Sequence, residues 1–280
     1  MSHGRICPPF LASNTFGGMK PFVVVILVLL GGCAPGAASG EVIVLASTTS
    51  TQDSGLLDVL TAEFEKAHPG HAVKVVAVGS GEALDLGRRG DADVLLAHSP
   101  KDEAKFIAQG HGVSRTTIMK NNFVIAGPRG DPSSIAKIGD AVSAFREIAG
   151  SGARFISRGD ESGTHRRELS LWEEAAIALK GDWYFEAGSG MAETLVIAAE
   201  KGAYILTDTA TLRATQSPLA ILLSGDDTLI NPYSVIPVVA TRSRGAPVLA
   251  QWLVSPQARS VIGAFGKDRF GSSLFEPVGP

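Results

Sequence analysis

One design recurs along this chain and limits what it can fold into: a short apolar run, a turn of Ser, Thr and Gly, then a segment of helical period. Val42 to Leu45 leads through Ser47-Thr48-Thr49-Ser50-Thr51 to a helix from about Gly55, with Leu56, Leu57, Leu60 and Phe64 on one face. Val73 to Val78 leads through Gly79-Ser80-Gly81 to a helix from Glu82 that ends before Gly90. Arg154 to Ser157 leads through Arg158-Gly159-Asp160-Glu161-Ser162-Gly163 to a helix over 164–179 that contains Trp172. Short apolar runs of this kind suit strands buried on both faces of a parallel sheet.

The alternation continues elsewhere. Further strands are predicted at 93–97, 122–127, 184–187, 204–207 and 235–240, and helices at 103–109, 141–149 and 192–201. Asp140 suits an N-cap, Gly150 a helix stop, and Ser255-Pro256 the cap and first position of the last helix. Alternation throughout predicts an α/β fold of doubly wound parallel sheets. A chain of 280 residues has room for two such sheets with a cleft between them.

The N-terminal region reads differently. Met19-Lys20 precedes the apolar run Phe22 to Leu30 and then Gly31-Gly32-Cys33, the pattern of an export signal. The run is short for a permanent span. Leu30-Gly31-Gly32-Cys33 resembles the bacterial lipobox, which implies acylation of Cys33; an ordinary cleavage near Ala38 is the alternative. On this reading residues 1–32 are a signal region with its true start at Met19, and residues 33–40 are a lipid-anchored tether. The protein is then expected outside the cytoplasm, in the periplasm or its equivalent. Apart from Cys33 only Cys7 is present, so the mature body has no disulfide.

The turns carry the chemistry. The first turn of a helix has unpaired N–H groups and partial positive charge, and Ser and Thr add donors without charge. Termini converging on one point would surround an oxyanion with donors. Net charge is −3, so no global field attracts nucleic acid or an acidic membrane, and an anion must be held by local geometry. Arg158 supplies a cation with a fork suited to oxyanions. The plainer readings are ordinary N-caps, and an Arg158 paired with Asp160 or Glu161 at the surface.

Other chemistries find little support. Asp160, Ser162 and His165 contain the residue types of a nucleophilic triad, but residues this close in sequence rarely meet as one, and no G-x-S-x-G elbow occurs. His68, His71, His98, His111 and His165 show no metal-ligand spacing, and His98 reads as a structural residue at a strand end. No phosphate-binding loop or dinucleotide fingerprint appears, so no cofactor is expected.

At these segments the chain resembles the tungstate-binding proteins of TupA type, periplasmic binding proteins of type II topology. The resemblance runs through Ser47-Thr48-Thr49-Ser50, Gly79-Ser80-Gly81-Glu82, Asn122-Phe123-Val124-Ile125, Arg158 to His165 with Glu168 and Trp172, Gly190-Met191-Ala192-Glu193 and Asn231-Pro232-Tyr233. It covers about residues 42–276. It implies two doubly wound lobes joined by two crossovers, lobe one at 41–121 plus 233–280 and lobe two at 122–232. It implies anion contacts from Thr49, Ser50, Ser80, Arg158, Ser162, Gly163, Thr164 and Met191. The partners implied are an ABC permease with its ATPase, and the protein is expected as a monomer. Ser47 stands where threonine is usual, and Thr207-Asp208-Thr209-Ala210-Thr211 lacks the family's arginine and glycine, which puts a cleft contact from that loop in doubt.

Tungstate is a dianion with four equivalent oxygens and requires donors only, and molybdate is nearly its equal in size and charge. A phosphate- or sulfate-binding protein is the rival within the class, phosphate being favoured by a carboxylate of Asp160 or Glu161 turned into the cleft. The rival outside it is a secreted hydrolase using Ser162 or Ser80.

Overall fold

The computed structural model describes residues 40–279, which form one compact body. The expected export signal, Cys33 and the expected tether up to Ser39 lie outside the described residues. No helix among the described residues is long and apolar enough to cross a membrane.

The chain opens with strand β1 (Glu41–Thr48), short helix α1 (Thr49–Asp53), helix α2 (Leu56–Ala67), strand β2 (His71–Val78), helix α3 (Ser80–Arg89), strand β3 (Val94–Ala97), helix α4 (Pro100–Ala108) and the 12-residue strand β4 (Thr116–Gly127). The second stretch holds α5 (Ala141–Ser151), β5 (Phe155–Ser157), α6 (Gly163–Glu174), β6 (Tyr184–Glu186), α7 (Met191–Lys201), β7 (Ile205–Asp208), α8 (Thr209–Ala214) and β8 (Ala220–Leu223). Strand β9 (Ile230–Pro237), helices α9 (Ala246–Leu253), α10 (Pro256–Ala264) and α11 (Lys267–Phe270), and the short β10 (Glu276–Pro277) complete it.

Strand β1 is flanked by β2 and β3, both parallel to it, which is why its later residues are buried on both faces. Strand β9 lies antiparallel between β3 and β4. The far half of β4 pairs antiparallel with β7 and with β8, while β5 runs parallel to β6 and bridges to Tyr204 just before β7. The sheets are therefore mixed, and the expectation of wholly parallel pairing fails at β9 and β4.

The orders β2-β1-β3-β9-β4 and β6-β5-β7-β4 thus share one strand. Apolar clusters cover both faces of each half. Leu45, Leu57, Phe64 and Trp252 pack on one face of the first, and Leu84, Leu95 and Phe106 on the other. In the second half Phe145, Phe155 and Trp172 form one core, with ring centroids 4.2 Å apart for Phe145–Trp172 and 5.1 Å for Phe155–Trp172. Met191, Leu195 and Ile205 form the other.

Local signals explain the boundaries. Leu56, Leu57, Leu60 and Phe64 are the buried face of α2. Asp140 accepts from the Ser143 N–H at 2.8 Å and caps α5, which runs past Gly150 and stops at Gly152 in the left-handed region. Ser255 caps α10, accepting from the Ala258 N–H at 3.3 Å. The helix after Arg158 ends at Glu174, earlier than its apolar pattern suggests, because Ala176 takes a positive φ of 57°.

Candidate functional site

The turns after β1, β2 and β5 meet. Thr49 opens α1 and is half-buried, and Ser50 beside it is buried. Ser80 opens α3 and is buried. Arg158 follows β5 at 1% exposure. Ser162 caps α6, whose first residues Gly163 and Thr164 are buried, and Met191 is the buried first residue of α7. The first turn was expected as an irregular lead into the helix near Gly55; instead Thr49–Asp53 coils into α1, and Gly55 at φ 83° reverses the chain into α2.

Direct contacts tie these segments together. Arg158 Nη2 donates to Thr49 Oγ1 at 2.8 Å, the Gly163 N–H donates to Ser80 Oγ at 3.0 Å, and the Ala192 N–H donates to Asp53 Oδ2 at 3.3 Å. A β-carbon at Gly190 would lie 3.8 Å from Thr49 Oγ1, which brings the start of α7 to the same place. Two glycines are required by close approach. A β-carbon at Gly79 would meet the Asp160 carbonyl oxygen at 2.9 Å, and one at Gly163 the His98 carbonyl oxygen at 2.7 Å.

The hydrogen bonds share one polarity. Thr49 Oγ1 accepts from Arg158, Ser80 Oγ from Gly163, and Ser162 Oγ from the His165 N–H at 3.3 Å. A hydroxyl that accepts from N–H keeps its own hydrogen for another partner. Arg158 Nε and Nη1 and Thr164 Oγ1 are buried without a partner among the described residues. Orphaned buried donors of this kind cost about 1–3 kcal/mol each, more when charged. The cluster suits a guest that only accepts.

Arg158 is paired with a carboxylate, as the plainer reading expected, but it is buried and not at the surface. Its Nη2 bonds Asp160 Oδ2 at 2.5 Å, and Asp160 Oδ1 accepts from the Ser162 N–H at 3.2 Å. The pairing with Asp160 and the burial therefore occur together, and Asp160 holds the guanidinium and the α6 entry in place. Both carboxylate oxygens are engaged by protein donors.

Behind the hydroxyls runs a buried chain that sequence reasoning missed apart from the structural role expected of His98. Ser50 Oγ lies 3.4 Å from His98 Nε2, and His98 Nδ1 lies 3.0 Å from Asn231 Oδ1. Asn231 Nδ2 donates to Asn121 Oδ1 at 2.8 Å, and Asn121 Nδ2 donates to Asp208 Oδ1 at 2.9 Å. Thr211 Oγ1 closes the ring, 2.7 Å from Asp208 Oδ2 and 3.1 Å from the Ser50 carbonyl oxygen. The segment Thr207–Thr211 thus touches α1 without the family's arginine and glycine. Burial pushes the His98 imidazole down to about 4 and raises the Asp208 carboxyl. These groups stand far apart in sequence, so only the pairing of β4 with β9 and β7 brings them together.

The hydrolase constellation does not form. Ser162 Oγ meets the backbone N–H of His165, whereas the His165 ring accepts from the Glu161 N–H at 3.0 Å through Nδ1. Glu168 belongs to the buried face of α6, its Oε1 accepting from Tyr184 Oη at 2.9 Å and Trp172 Nε1 at 3.2 Å. Burial without a cation pushes this carboxyl up to about 7. No group of three His, Cys, Asp or Glu able to hold a metal ion occurs among the described residues.

A PBP superfamily domain matches residues 35–257. The chain is 42% identical to the tungstate-binding protein TupA of Peptoclostridium acidaminophilum, over 91% of this chain and 95% of that protein. It is 37% identical to the TupA of Campylobacter jejuni, over 77% of this chain and 84% of that one. Among solved structures, the tungstate ABC transporter from Geobacter sulfurreducens is 44% identical with a TM-score of 0.73, covering 80% of this chain and 99% of that chain. The tungstate-binding TupA from Desulfovibrio alaskensis G20 is 39% identical with a TM-score of 0.71, covering 86% and 100%.

Proposed function

This chain belongs to the PBP superfamily and, within it, to the tungstate-binding proteins of TupA type, and on that premise we propose that it captures tungstate for an ABC importer. The carrying observation is the polarity of the cluster: buried donors of Arg158 and Thr164 without partners, beside hydroxyls whose oxygens already accept. Tungstate at neutral pH only accepts, and it accepts a hydrogen bond from each of these donors. Thr49, Ser50 and Ser80 bind from one side, and Arg158, Ser162, Gly163, Thr164 and the start of α7 at Met191 from the other. Asp160 supports Arg158, which argues against its use as an acceptor for a protonated phosphate.

The two sheet halves act as lobes, 41–121 plus 233–280 and 122–232, that close on the anion. Anion contacts made from both lobes stabilise the closed form, and the permease with its ATPase reads that form. Molybdate, nearly equal in size and charge, is accepted by the same donors. The protein works as a monomer outside the cytoplasm, held at the membrane by a lipid on Cys33, and acts by binding without turnover.

Isothermal titration of the purified protein with tungstate, molybdate, sulfate and phosphate tests the reading. One-to-one binding of tungstate, with sulfate and phosphate weak or absent, is the expected result. Binding of phosphate alone would overturn it.

A further inference from the structure

Hydrogen-bond polarity around the buried ring is set by Asp208. Its Oδ1 accepts from Asn121 Nδ2, so Asn121 turns its own Oδ1 towards Asn231. Asn231 spends its amide hydrogens on Asn121 Oδ1 at 2.8 Å and Tyr233 Oη at 2.9 Å, which leaves its Oδ1 facing His98 Nδ1 at 3.0 Å. An amide oxygen only accepts, so the imidazole carries its hydrogen on Nδ1 and a lone pair on Nε2. That lone pair faces Ser50 Oγ at 3.4 Å.

Ser50 Oγ also lies 3.2 Å from Thr48 Oγ1, which can donate to it, and with a neutral imidazole the Ser50 hydroxyl hydrogen turns to His98. Donation to an oxyanion turns it away and leaves two lone pairs opposed. A hydrogen on Nε2 removes the conflict: the imidazolium donates to Asn231 Oδ1 and to Ser50 Oγ, and the hydroxyl hydrogen goes to the anion. We propose that His98 is the positioning residue for Ser50, and that capture of a dianion draws one proton from solvent onto His98 Nε2. This inference rests on the reading of Ser50 as an anion donor.

The surroundings fit a proton drawn in by the guest. Tyr233 stacks on the imidazole with centroids 4.7 Å apart, its own hydroxyl kept protonated by burial, and Phe123 lies 6.3 Å away on β4. From the turn before α6 the charges are Arg158, which disfavours the imidazolium, and Asp160, which favours it. On the far flank His98 shares a groove with Lys101, Asp102, Arg166 and Arg167. There Asp102 lies 3.8 Å from Arg166, and Glu103 of α4 is engaged by Arg115 at 2.6 Å. The Arg158–Asp160 pair is close to neutral, so an added dianion becomes the dominant nearby charge.

The test is titration calorimetry of the full chain with sodium tungstate at about pH 6, in buffers of different ionisation enthalpy. The slope of observed heat against buffer ionisation enthalpy counts protons taken up. We expect between about half and one proton per anion, and affinity that tightens towards acid by up to about tenfold per pH unit. His98→Gln should bring the slope to zero, while His165→Asn should keep it. A zero slope in wild-type protein that binds tungstate overturns the inference, as does a slope that survives His98→Gln. Should His98→Gln not fold, the wild-type slope and its persistence in His165→Asn decide. Absence of any tungstate heat removes the reading of the site itself, and this inference with it.

Discussion

At the scale of single residues, Arg158 is held before any guest arrives: its guanidinium is buried, oriented by Asp160 and Thr49, and leaves Nε and Nη1 for the anion. Removing it leaves Asp160 uncompensated beside an incoming dianion. Arg158→Ala should therefore weaken tungstate binding by about 3 kcal/mol or more, over a hundredfold, while the circular dichroism spectrum is retained. Thr164→Ala removes one hydroxyl donor to a charged guest and should cost about 1.5–3 kcal/mol, seen as roughly ten- to hundredfold weaker binding in the same titration. Glu168 supplies a pH dependence of stability. Its folded value of about 7 lies above the ordinary 4.5, so between them the native state holds a proton that the unfolded chain has lost. Stability should fall as pH rises through that window, by up to about 3 kcal/mol. Glu168→Gln should flatten the change, read from urea midpoints at about pH 5 and pH 8.

At the scale of elements, the entry of α6 is the tightest joint. Any β-carbon at Gly163 pushes against the backbone oxygen of His98, which cannot swing aside as a side chain would. Gly163→Ala should displace the first turn of α6 from Ser80 and weaken tungstate binding at least tenfold, with thermal stability lowered by no more than a few degrees. Restoration of wild-type affinity in this variant would show that the approach has slack. Elements were legible where the signal is local: the apolar face of α2, the Asp140 cap and the Ser255-Pro256 start of α10 are written in neighbouring residues. The turns after β1, β2 and β5 were legible for the same reason, since a Ser/Thr/Gly turn before a helix announces free N–H donors. The antiparallel course of β9 was not, because Ile230–Pro237 is placed by partners more than a hundred residues away. The buried ring that joins Asn121, Asn231 and Asp208 was missed on the same ground: nothing in the neighbouring residues shows that these side chains meet until strand pairing buries them.

At the scale of the molecule, guest and fold are linked. A ligand that binds the native state at about a thousand times its dissociation constant adds about 4 kcal/mol to stability. For a body of this size that corresponds to a rise of about 10 °C in the midpoint of thermal unfolding with tungstate, measured by scanning calorimetry, and little change with sulfate. The shared strand β4 has a further consequence, for the order in which the chain can become itself. β9 is the wedge between β3 and β4, so the first sheet has no closing piece until Ile230–Pro237 has been synthesised. Pairings of such long span form slowly, because the connecting chain must be gathered before any contact rewards it. The earliest part of the polypeptide thus waits for nearly the last, and the anion cage, whose ring passes through Asn231, is completed in the same late event.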